Sequence, residues 1–240
     1  MISSRHTVQR AIVMAAGKGE RLRPITSHIP KPMIPVNGTR MIESIILALK
    51  ANGINEIYVV TGYKKEAFTI LTELYPEVRL IENPFYETCN NISSLYVVRD
   101  LLQDCMILDG DLVINNPAVL SPHFTRSGYN AVWTNERTTE WLLKVEQGVI
   151  NSCSRTGGTK GWQLYSISRW NEQDGRQLQE DVTALFESGN HQIYWDDVPL
   201  FCNADHYSLG IREMEKDDVI EIDSFEELVQ IDQSYSEVKL

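Results

Sequence analysis

The sequence predicts an α/β protein in which a mainly parallel sheet carries a small, β-rich lid over its carboxyl edge. Two observations lead to this fold class. In the first half, apolar runs rich in β-branched residues alternate with segments of helical spacing, the order expected of right-handed βαβ units. In the second half, short strand-like runs follow one another with brief turns between them. Open α/β sheets bind ligands at their carboxyl edge, so we expect the functional site there.

The regular alternation in the first half defines seven elements. Predicted strands, recognised as short apolar runs, cover residues 10–16, 56–63, 78–83 and 105–114. Predicted helices lie between them and cover residues 41–53, 64–75 and 91–102. Gly53 is the stop signal of the first helix. The fourth strand runs into an acidic turn, LDGDL.

The second half is less regular. Strand-like runs cover residues 129–135, 141–147, 148–153, 161–168, 194–201, 207–215 and 218–223. Helices are predicted over residues 180–190 and 224–235. The last helix has an N-cap candidate in Asp223-Ser224, and Glu226 and Glu227 fall in its first turn, where negative charge is favourable.

Length and composition narrow the class of protein. The 240 residues predict a single domain over 10–240, preceded by a flexible extension over 1–9 that does not resemble a signal peptide. A net charge of −11, from 22 basic and 33 acidic residues, argues against nucleic acid or an anionic membrane as the main partner. No apolar run approaches the roughly 18 residues of a membrane span. The sequence carries no signature of oligomeric state.

Cysteine usage points to a reducing compartment. The four cysteines, Cys89, Cys105, Cys153 and Cys202, are far apart and form no CxxC pair, so a metal cluster or redox motif is not expected. We therefore interpret them as reduced thiols of a cytoplasmic protein.

The stretch AAGKGERLRPITSHIPKPMIPV, residues 15–36, concentrates positive charge directly after the first strand. Gly17 and Gly19 let the backbone approach a ligand and point N–H groups toward it, as phosphate-binding loops do. The stretch is neither a P-loop nor a dinucleotide fingerprint, because Arg21 and Pro24 occupy the region where a third glycine and a helix should follow. Lys31 lies between two prolines, which should hold it extended and in one direction.

The pattern G-x-G-x-R-L-x-P-x-T, followed by P-K-P, resembles the signature of the nucleotidyltransferases that make sugar nucleotides and related activated alcohols. The resemblance implies a Rossmann-like three-layer α/β/α nucleotidyltransferase fold whose loop wraps a nucleoside triphosphate. It implies that Gly17, Gly19 and Arg21 contact phosphates, and that Lys31 stabilises charge at the transferred phosphoryl group. Ala15 and Ala16 belong to the same predicted nucleotide site.

Two acidic segments complete the predicted catalytic site. Asp109 and Asp111 end the fourth strand, and Asp223 ends the last one. Mg²⁺ takes one or two carboxylates together with phosphate oxygens and water, which two distant strand ends could supply. The family resemblance assigns Mg²⁺ to Asp111 and Asp223, leaves Asp109 a structural role, and adds Gly110 to the nucleotide site.

A second run, ETCNNISSLYVVRDLL, narrows the resemblance to the small bacterial cytidylyltransferases that activate phosphocholine. These proteins carry a similar Asn-Asn-x-x-Ser-Leu-Tyr run, which adds Asn90 and Ser94 to the predicted CTP site. The stretches NERTTEWLL and IYWDD resemble their acceptor-binding segments. The similarity extends from about Arg10 to the C-terminal helix.

The predicted acceptor pocket suits a quaternary ammonium, which is bound by aromatic faces and carboxylates because it has no N–H to donate. Aromatic faces are assigned to Trp141, Tyr194 and Trp195, negative potential to Glu140, Asp196 or Asp197, and the acceptor phosphate to Arg137. A primary ammonium, as in 2-aminoethylphosphonate or phosphoethanolamine, would bind the same carboxylates. Trp133, Trp162 and Trp170 are predicted to pack in the core or lid.

The predicted function is transfer of CMP from CTP to phosphocholine, giving CDP-choline and pyrophosphate by direct in-line attack with Mg²⁺. The first alternative is a 2-aminoethylphosphonate or phosphoethanolamine cytidylyltransferase. A hexose-1-phosphate nucleotidyltransferase should favour hydrogen-bonding side chains over tryptophans, and a non-catalytic regulatory subunit should have lost Lys31 or a metal ligand. The DGD run also matches the DxD motif of glycosyltransferases, in which the Lys31 loop would have no purpose.

Overall fold

A computed structural model describes residues 5–237. The described residues form fifteen strands, which in chain order are β1 (His6–Thr7), β2 (Arg10–Ala15), β3 (Pro35–Val36), β4 (Thr39–Arg40), β5 (Ile57–Thr61), β6 (Val78–Glu82), β7 (Cys105–Asp109), β8 (Leu112–Ile114), β9 (His123–Phe124), β10 (Gly128–Thr134), β11 (Leu142–Glu146), β12 (Val149–Ser154), β13 (Gly161–Trp170), β14 (Gly210–Glu213) and β15 (Val219–Glu221).

The same residues form five α-helices, which are α1 (Met41–Ala51), α2 (Thr69–Leu74), α3 (Ile92–Val97), α4 (Glu172–Glu187) and α5 (Phe225–Ile231). Short 3₁₀ turns extend the predicted helices at Lys65–Phe68 and Arg99–Leu101. None of these helices is both long and apolar enough to cross a membrane.

A nine-stranded mixed sheet forms the centre of the molecule. Four neighbouring strands, β7, β2, β5 and the edge strand β6, are parallel, as the βαβ pattern predicts. The strand β13 pairs antiparallel with β7 and β11 along one side and with β10 along the other, and β12 pairs with β11. The strands β11, β12 and the first part of β13 form the antiparallel extension predicted as a lid.

Both faces of the parallel strands are buried, which confirms the three-layer class. Along β2, Val13 packs in one apolar cluster and Ile12 in another, because successive side chains of a strand point to opposite faces. The first cluster receives Ile45 and Leu49 of α1. The second receives the α4 face formed by Leu178, Val182 and Phe186. Helices therefore cover the sheet on both sides.

Two predicted elements differ from the structure. The helix predicted over 180–190 begins at Glu172, because Asn171 caps it by accepting a hydrogen bond from the Asp174 N–H at 2.8 Å. The strand predicted over 194–201 is not a strand. Residues 194–197 form a turn in which the Asp197 carboxylate accepts from the Tyr194 N–H, and a π-helical turn follows at Val198–Cys202.

The N-terminal segment also differs from the prediction of a loose extension. Strand β1 pairs with β9, Val8 is buried, and the Gln9 N–H donates to the Asp104 carbonyl at 2.7 Å. Residues 5–9 are therefore packed against the rest of the chain, and residues 1–4 lie outside the described range.

Helix α4 lies unusually close to the segment that precedes β7. A Cβ added at Gly175 would lie 2.1 Å from the Leu102 carbonyl oxygen and 2.9 Å from the Gln103 Cα. Both neighbours are backbone atoms, so neither can yield without moving the chain.

We expect Gly175→Ala to destabilise the fold by about 1–3 kcal/mol, although alanine ordinarily favours a helix over glycine. The measurement is the urea midpoint of unfolding, compared with Gln173→Ala at an exposed position of the same helix. An unchanged or higher midpoint for Gly175→Ala would show that this close approach does not constrain the helix.

Candidate active site

The glycine loop after β2 encloses a cavity of about 340 Å³ at the carboxyl edge of the parallel strands. Its lining includes the predicted catalytic Lys31 and six residues of the predicted nucleotide site, namely Ala15, Ala16, Gly17, Gly19, Arg21 and Ser94. Gly17 presents its Cα hydrogen to open space, since no heavy atom lies within 4 Å of the position a Cβ would occupy. The backbone is therefore free to approach a phosphate there.

Gly19 and Lys31 fix the shape of the loop together. Gly19 has a φ of +60°, and a Cβ on it would lie 2.9 Å from the Lys31 Cβ. The Thr26 hydroxyl donates to the Gly19 carbonyl at 2.9 Å, and the Tyr63 hydroxyl donates to the Thr26 carbonyl at 2.8 Å. These bonds hold Gly19 and Thr26 of the loop together and tie the loop to Tyr63.

Lys31 does not have the extended backbone predicted from its flanking prolines. It begins a short 3₁₀ turn, Lys31–Met33, and Pro30 is the extended residue, with ψ of 144°. The fixed direction of the side chain comes instead from burial and charge. Its side chain is 7% exposed, and Nζ lies 2.6 Å from Asp111 Oδ2 and 3.0 Å from Asp223 Oδ1.

A short antiparallel strand pair brings these two carboxylates together. Strand β15 pairs with β8 so that Glu221 lies opposite Leu112, which places Asp223 beside the turn that carries Asp111. The start of α5 then holds Asp223 in place. The Glu227 carboxylate accepts hydrogen bonds from the Asp223 and Ser224 N–H groups, and the Ser224 hydroxyl accepts from the Glu227 N–H.

The buried lysine and the carboxylates stabilise each other's charge. Burial by itself would lower the pKa of Lys31, but Asp111 and Asp223 outweigh it, so the pKa lies above its ordinary value. Burial would likewise raise the pKa of Asp223, yet Lys31 and Arg21 outweigh it and lower that pKa. Arg21 reaches Asp223 Oδ1 from the solvent side at 2.8 Å. The four predicted catalytic side chains thus form one ionic network.

A second cavity, of about 270 Å³, adjoins the first and shares Arg21, Asn91, Asp109 and Asp111 with it. Four of the predicted acceptor residues line it, namely Glu140, Trp141, Tyr194 and Asp196. Leu164 and Ser166 of β13 form its floor together with the acidic ends of β7 and β15. The lid strands therefore build the second cavity beside the nucleotide cavity.

Carboxyl groups dominate the lining of the second cavity. Burial raises the pKa of Asp196 to about 7 and that of Glu221 to about 8, in the latter case with nearby Asp111 and Asp223 adding to the effect. Burial and then Asp111 and Asp196 raise the pKa of Asp109 well above its ordinary range. None of these three groups forms an ion pair within the described residues, so a bound cation would lower their pKa values and hold them in the ionised form.

The aromatic wall of the second cavity is formed by Trp141 and Tyr194, whose rings meet edge to face at 6.0 Å. Behind it, Arg155 lies 3.9 Å from the centroid of Phe201 and 5.8 Å from that of Trp141, and its guanidinium pairs with Asp197 at 2.5 Å. Asp197 is therefore already neutralised and belongs to the support of the wall.

Four predicted site residues lie elsewhere. Trp195 is 1% exposed and packs in the core against Tyr129 and Trp170, so its ring does not face the cavity. Arg137 lines a separate cleft beside Trp133. Asn90 and Gly110 are absent from the lining of the nucleotide cavity and lie just outside it. The Asn90 amide donates to the Gln192 carbonyl, and Gly110 packs behind the cavity wall, where a Cβ would lie 2.9 Å from the Met14 carbonyl.

Sequence reasoning missed Asn91 and Glu221, and it underestimated Asp109. Asn91 lines both cavities, and its side-chain Oδ1 accepts from the Trp195 backbone N–H at 2.8 Å. It is the second asparagine of the NN pair, and composition alone gives no reason to choose between neighbours. For Glu221 a signal was available, because it precedes Asp223 by two residues and so shares its strand face.

The donor set of Asp111 and Asp223 fits a hard divalent cation. Both carboxylates converge on one point, Lys31 Nζ, and both border the open nucleotide cavity or its neighbour. No group of three or more His, Cys, Asp or Glu side chains within residues 5–237 is arranged to hold a metal. Two carboxylates completed by phosphate oxygens and water are what Mg²⁺ needs.

Comparison with known proteins places this site in a family. Residues 10–128 match the nucleotidyl transferase family. The 2-aminoethylphosphonate cytidylyltransferase of Lancefieldella rimae is 38% identical, over 94% of this chain and 92% of its own length. The choline-phosphate cytidylyltransferase of Streptococcus pneumoniae is 32% identical, over 93% of this chain and 97% of its own length.

Solved structures of cytidylyltransferases share the fold of this chain. The CTP:phosphocholine cytidylyltransferase of Streptococcus pneumoniae superposes with a TM-score of 0.88 at 31% identity, covering 95% of this chain and 99% of that one. The inositol-1-phosphate CTP transferase of T. maritima shares the fold, with a TM-score of 0.76 at 16% identity, covering 99% of this chain and 100% of that one. The chain belongs to the nucleotidyltransferase family and, within it, to the cytidylyltransferases.

We expect Lys31→Ala to lower kcat by about 10²–10³-fold while changing the dissociation constant for CTP by less than about tenfold. The reason is that a single buried ammonium, placed beside two carboxylates, contributes more to developing charge than to ground-state binding. Single-turnover kinetics and equilibrium CTP binding measure the two quantities.

The matched control is Lys18→Ala, which removes a lysine of the same loop that does not line the cavity. A Lys31→Ala protein with unchanged kcat and weakened CTP binding would contradict a role for Lys31 in the transition state.

Proposed function

We propose that this protein transfers CMP from CTP to 2-aminoethylphosphonate, releasing pyrophosphate. The observation that carries the choice of acceptor is the second cavity, in which unpaired carboxylates outnumber aromatic faces. A primary ammonium donates hydrogen bonds to carboxylates, whereas a quaternary ammonium cannot. The identity to a 2-aminoethylphosphonate cytidylyltransferase supports the same acceptor.

The nucleotide cavity would hold the triphosphate of CTP. The backbone of the loop at Gly17 and Gly19 and the side chain of Arg21 would contact its phosphates. Asn91 borders both cavities and would stand between CTP and the acceptor. The acceptor phosphonate is already anionic, so no side chain needs to activate it as a nucleophile.

The chemical step would be a direct displacement. A phosphonate oxygen attacks the α-phosphorus of CTP, the bond from that phosphorus to the oxygen bridging to the β-phosphate breaks, and pyrophosphate leaves with the electron pair. Lys31 would stabilise the charge that develops on the transferred group. Arg21 would stabilise the same charge from the solvent side, since the Arg21 and Lys31 side chains meet at Asp223.

Asp111 and Asp223 would hold Mg²⁺, in keeping with their convergence on one point. When bound, the ion supplies positive charge to the phosphate oxygens of the reacting nucleotide. The four cysteines of the chain are free thiols, which supports a reducing, cytoplasmic location for the reaction.

Phosphocholine is the second candidate acceptor, because Trp141 and Tyr194 form a wall against which a quaternary ammonium could lie. The wall has two rings, since Trp195 lies in the core. A cage of two faces is weaker than the three-sided cage expected from sequence, so the carboxylates carry more of the recognition.

With CTP and Mg²⁺, we expect pyrophosphate release to be fastest with 2-aminoethylphosphonate, measured against phosphocholine, phosphoethanolamine and glucose-1-phosphate at matched concentrations. We expect kcat/KM for 2-aminoethylphosphonate to exceed that for phosphocholine by about tenfold or more, which is what one charge-assisted hydrogen bond contributes. Preference for phosphocholine would overturn the choice of acceptor and keep the cytidylyltransferase chemistry. Turnover with the sugar phosphate alone would overturn the assignment of the second cavity to a cationic head group.

We expect Asp196→Asn to raise the KM for 2-aminoethylphosphonate by about tenfold or more, because it removes from the second cavity a buried carboxyl group that a bound ammonium would hold ionised. Trp141→Ala should raise that KM by a smaller factor, and Trp133→Ala, which alters an exposed ring outside the cavity, should leave it unchanged. Steady-state kinetics at saturating CTP measures all three. A larger effect of Trp141→Ala than of Asp196→Asn would assign head-group recognition to the aromatic wall.

A further inference from the structure

A third cavity lies at the opposite edge of the sheet from the catalytic residues. Its volume is about 410 Å³, and Arg126, Arg169 and Arg212 line it. Arg169 lies opposite Met106 at the start of β7, whereas Asp109 ends the same strand at the catalytic edge. The two sites are thus separated by the length of a strand. We name this cavity the arginine pocket.

Arg169 is the buried base of the arginine pocket. It is 2% exposed, and its guanidinium donates to the carbonyls of Ser121 and Val119 and to Asn130 Oδ1. All three acceptors are neutral, so the charge of the guanidinium is oriented and remains uncompensated. Burial and the neighbouring Arg212 lower the pKa of Arg169 to about 9.

The other two arginines are held by neutral oxygens as well. Arg212 is half-buried and donates to the His123 carbonyl at 2.6 Å, and Arg126 donates to the Ser208 hydroxyl at 2.6 Å. A Cβ at Gly210 would lie 3.0 Å from the Arg126 side chain, so the glycine leaves room for this arrangement.

No carboxylate within residues 5–237 forms an ion pair with any of these three arginines. Residues 1–4, which precede the exposed Arg5 at the rim, are Met, Ile, Ser and Ser and contain no acid. Acidic residues outnumber basic ones by 33 to 22 in this chain. An unneutralised cluster of arginines around a buried one is costly unless a bound anion completes it.

We propose that the arginine pocket binds a phosphate group, carried by inorganic phosphate, by pyrophosphate or by a nucleotide. Guanidinium groups present planar, paired N–H donors that match the oxygens of phosphate. The pocket adjoins the second cavity at Tyr129. Tyr129 lines the arginine pocket and stacks on Trp195 at 6.0 Å, and Trp195 precedes Asp196 of the acceptor cavity. The proposal does not depend on which acceptor the enzyme uses.

The test is a calorimetric titration with inorganic pyrophosphate, which reports the number of ions bound per chain. We expect Arg126→Gln and Arg212→Gln each to bind one fewer pyrophosphate than the unaltered protein, or to bind that one at least about tenfold more weakly. Arg79→Gln, an exposed arginine on β6, is the matched control and should bind as the unaltered protein does. Repeating the titration with inorganic phosphate and with CTP identifies the form of phosphate preferred.

Equal stoichiometry and affinity in the unaltered protein and in Arg126→Gln would overturn the proposal. Arg126 is exposed, so this variant keeps the test valid even where Arg212→Gln unfolds, which a melting curve detects. CMP transfer in Arg126→Gln should proceed as in the unaltered protein, which separates a failure of this site from a failure of the catalytic one.

Discussion

The contact of the Lys31 ammonium with Asp111 and Asp223 is the interaction on which the catalytic end of the molecule depends. Lys31 belongs to the loop after β2, Asp111 to the turn between β7 and β8, and Asp223 to the start of α5. One buried cation therefore joins three parts of the chain, two of which the pairing of β8 with β15 also brings together. Removing it would leave two carboxylates facing each other in a partly buried site, which is unfavourable.

That contact also explains how the carboxyl edge of the sheet becomes a site. The register of β15 on β8 sets Asp223 beside Asp111, and the capping box of α5 fixes the backbone from which Asp223 projects. The 3₁₀ turn at Lys31–Met33 carries the lysine whose ammonium contacts both carboxylates. Each element is ordinary alone, and their joint effect is to aim three charged groups at one point beside the nucleotide cavity.

The sequence predicts the central sheet well, because its strands are continuous apolar runs and its helices have clear spacing. It also singles out Lys31, Asp111 and Asp223, whose side chains meet in the structure. Lys31 lies within a motif of several fixed residues, whereas the two aspartates are assigned from the ends of predicted strands and the family resemblance. It fails where a short aromatic-acidic stretch has no periodicity. In the sequence, nothing distinguishes Trp195 from its neighbour Tyr194 as a candidate for the cavity. The turn at 194–197 places the Tyr194 ring in the lining of the second cavity and the Trp195 ring in the core.

Charge placement shows the same limit. The net charge of −11 does not reveal that acids gather at the second cavity while arginines gather at the opposite edge. Lys31 and Arg21 neutralise Asp111 and Asp223, whereas burial leaves Asp196, Glu221 and Asp109 with raised pKa values. Under the proposed function, a cationic head group would lower those pKa values and hold the carboxyl groups ionised, whereas a neutral sugar would leave them protonated. Discrimination against neutral acceptors would then follow from the burial of these carboxyl groups.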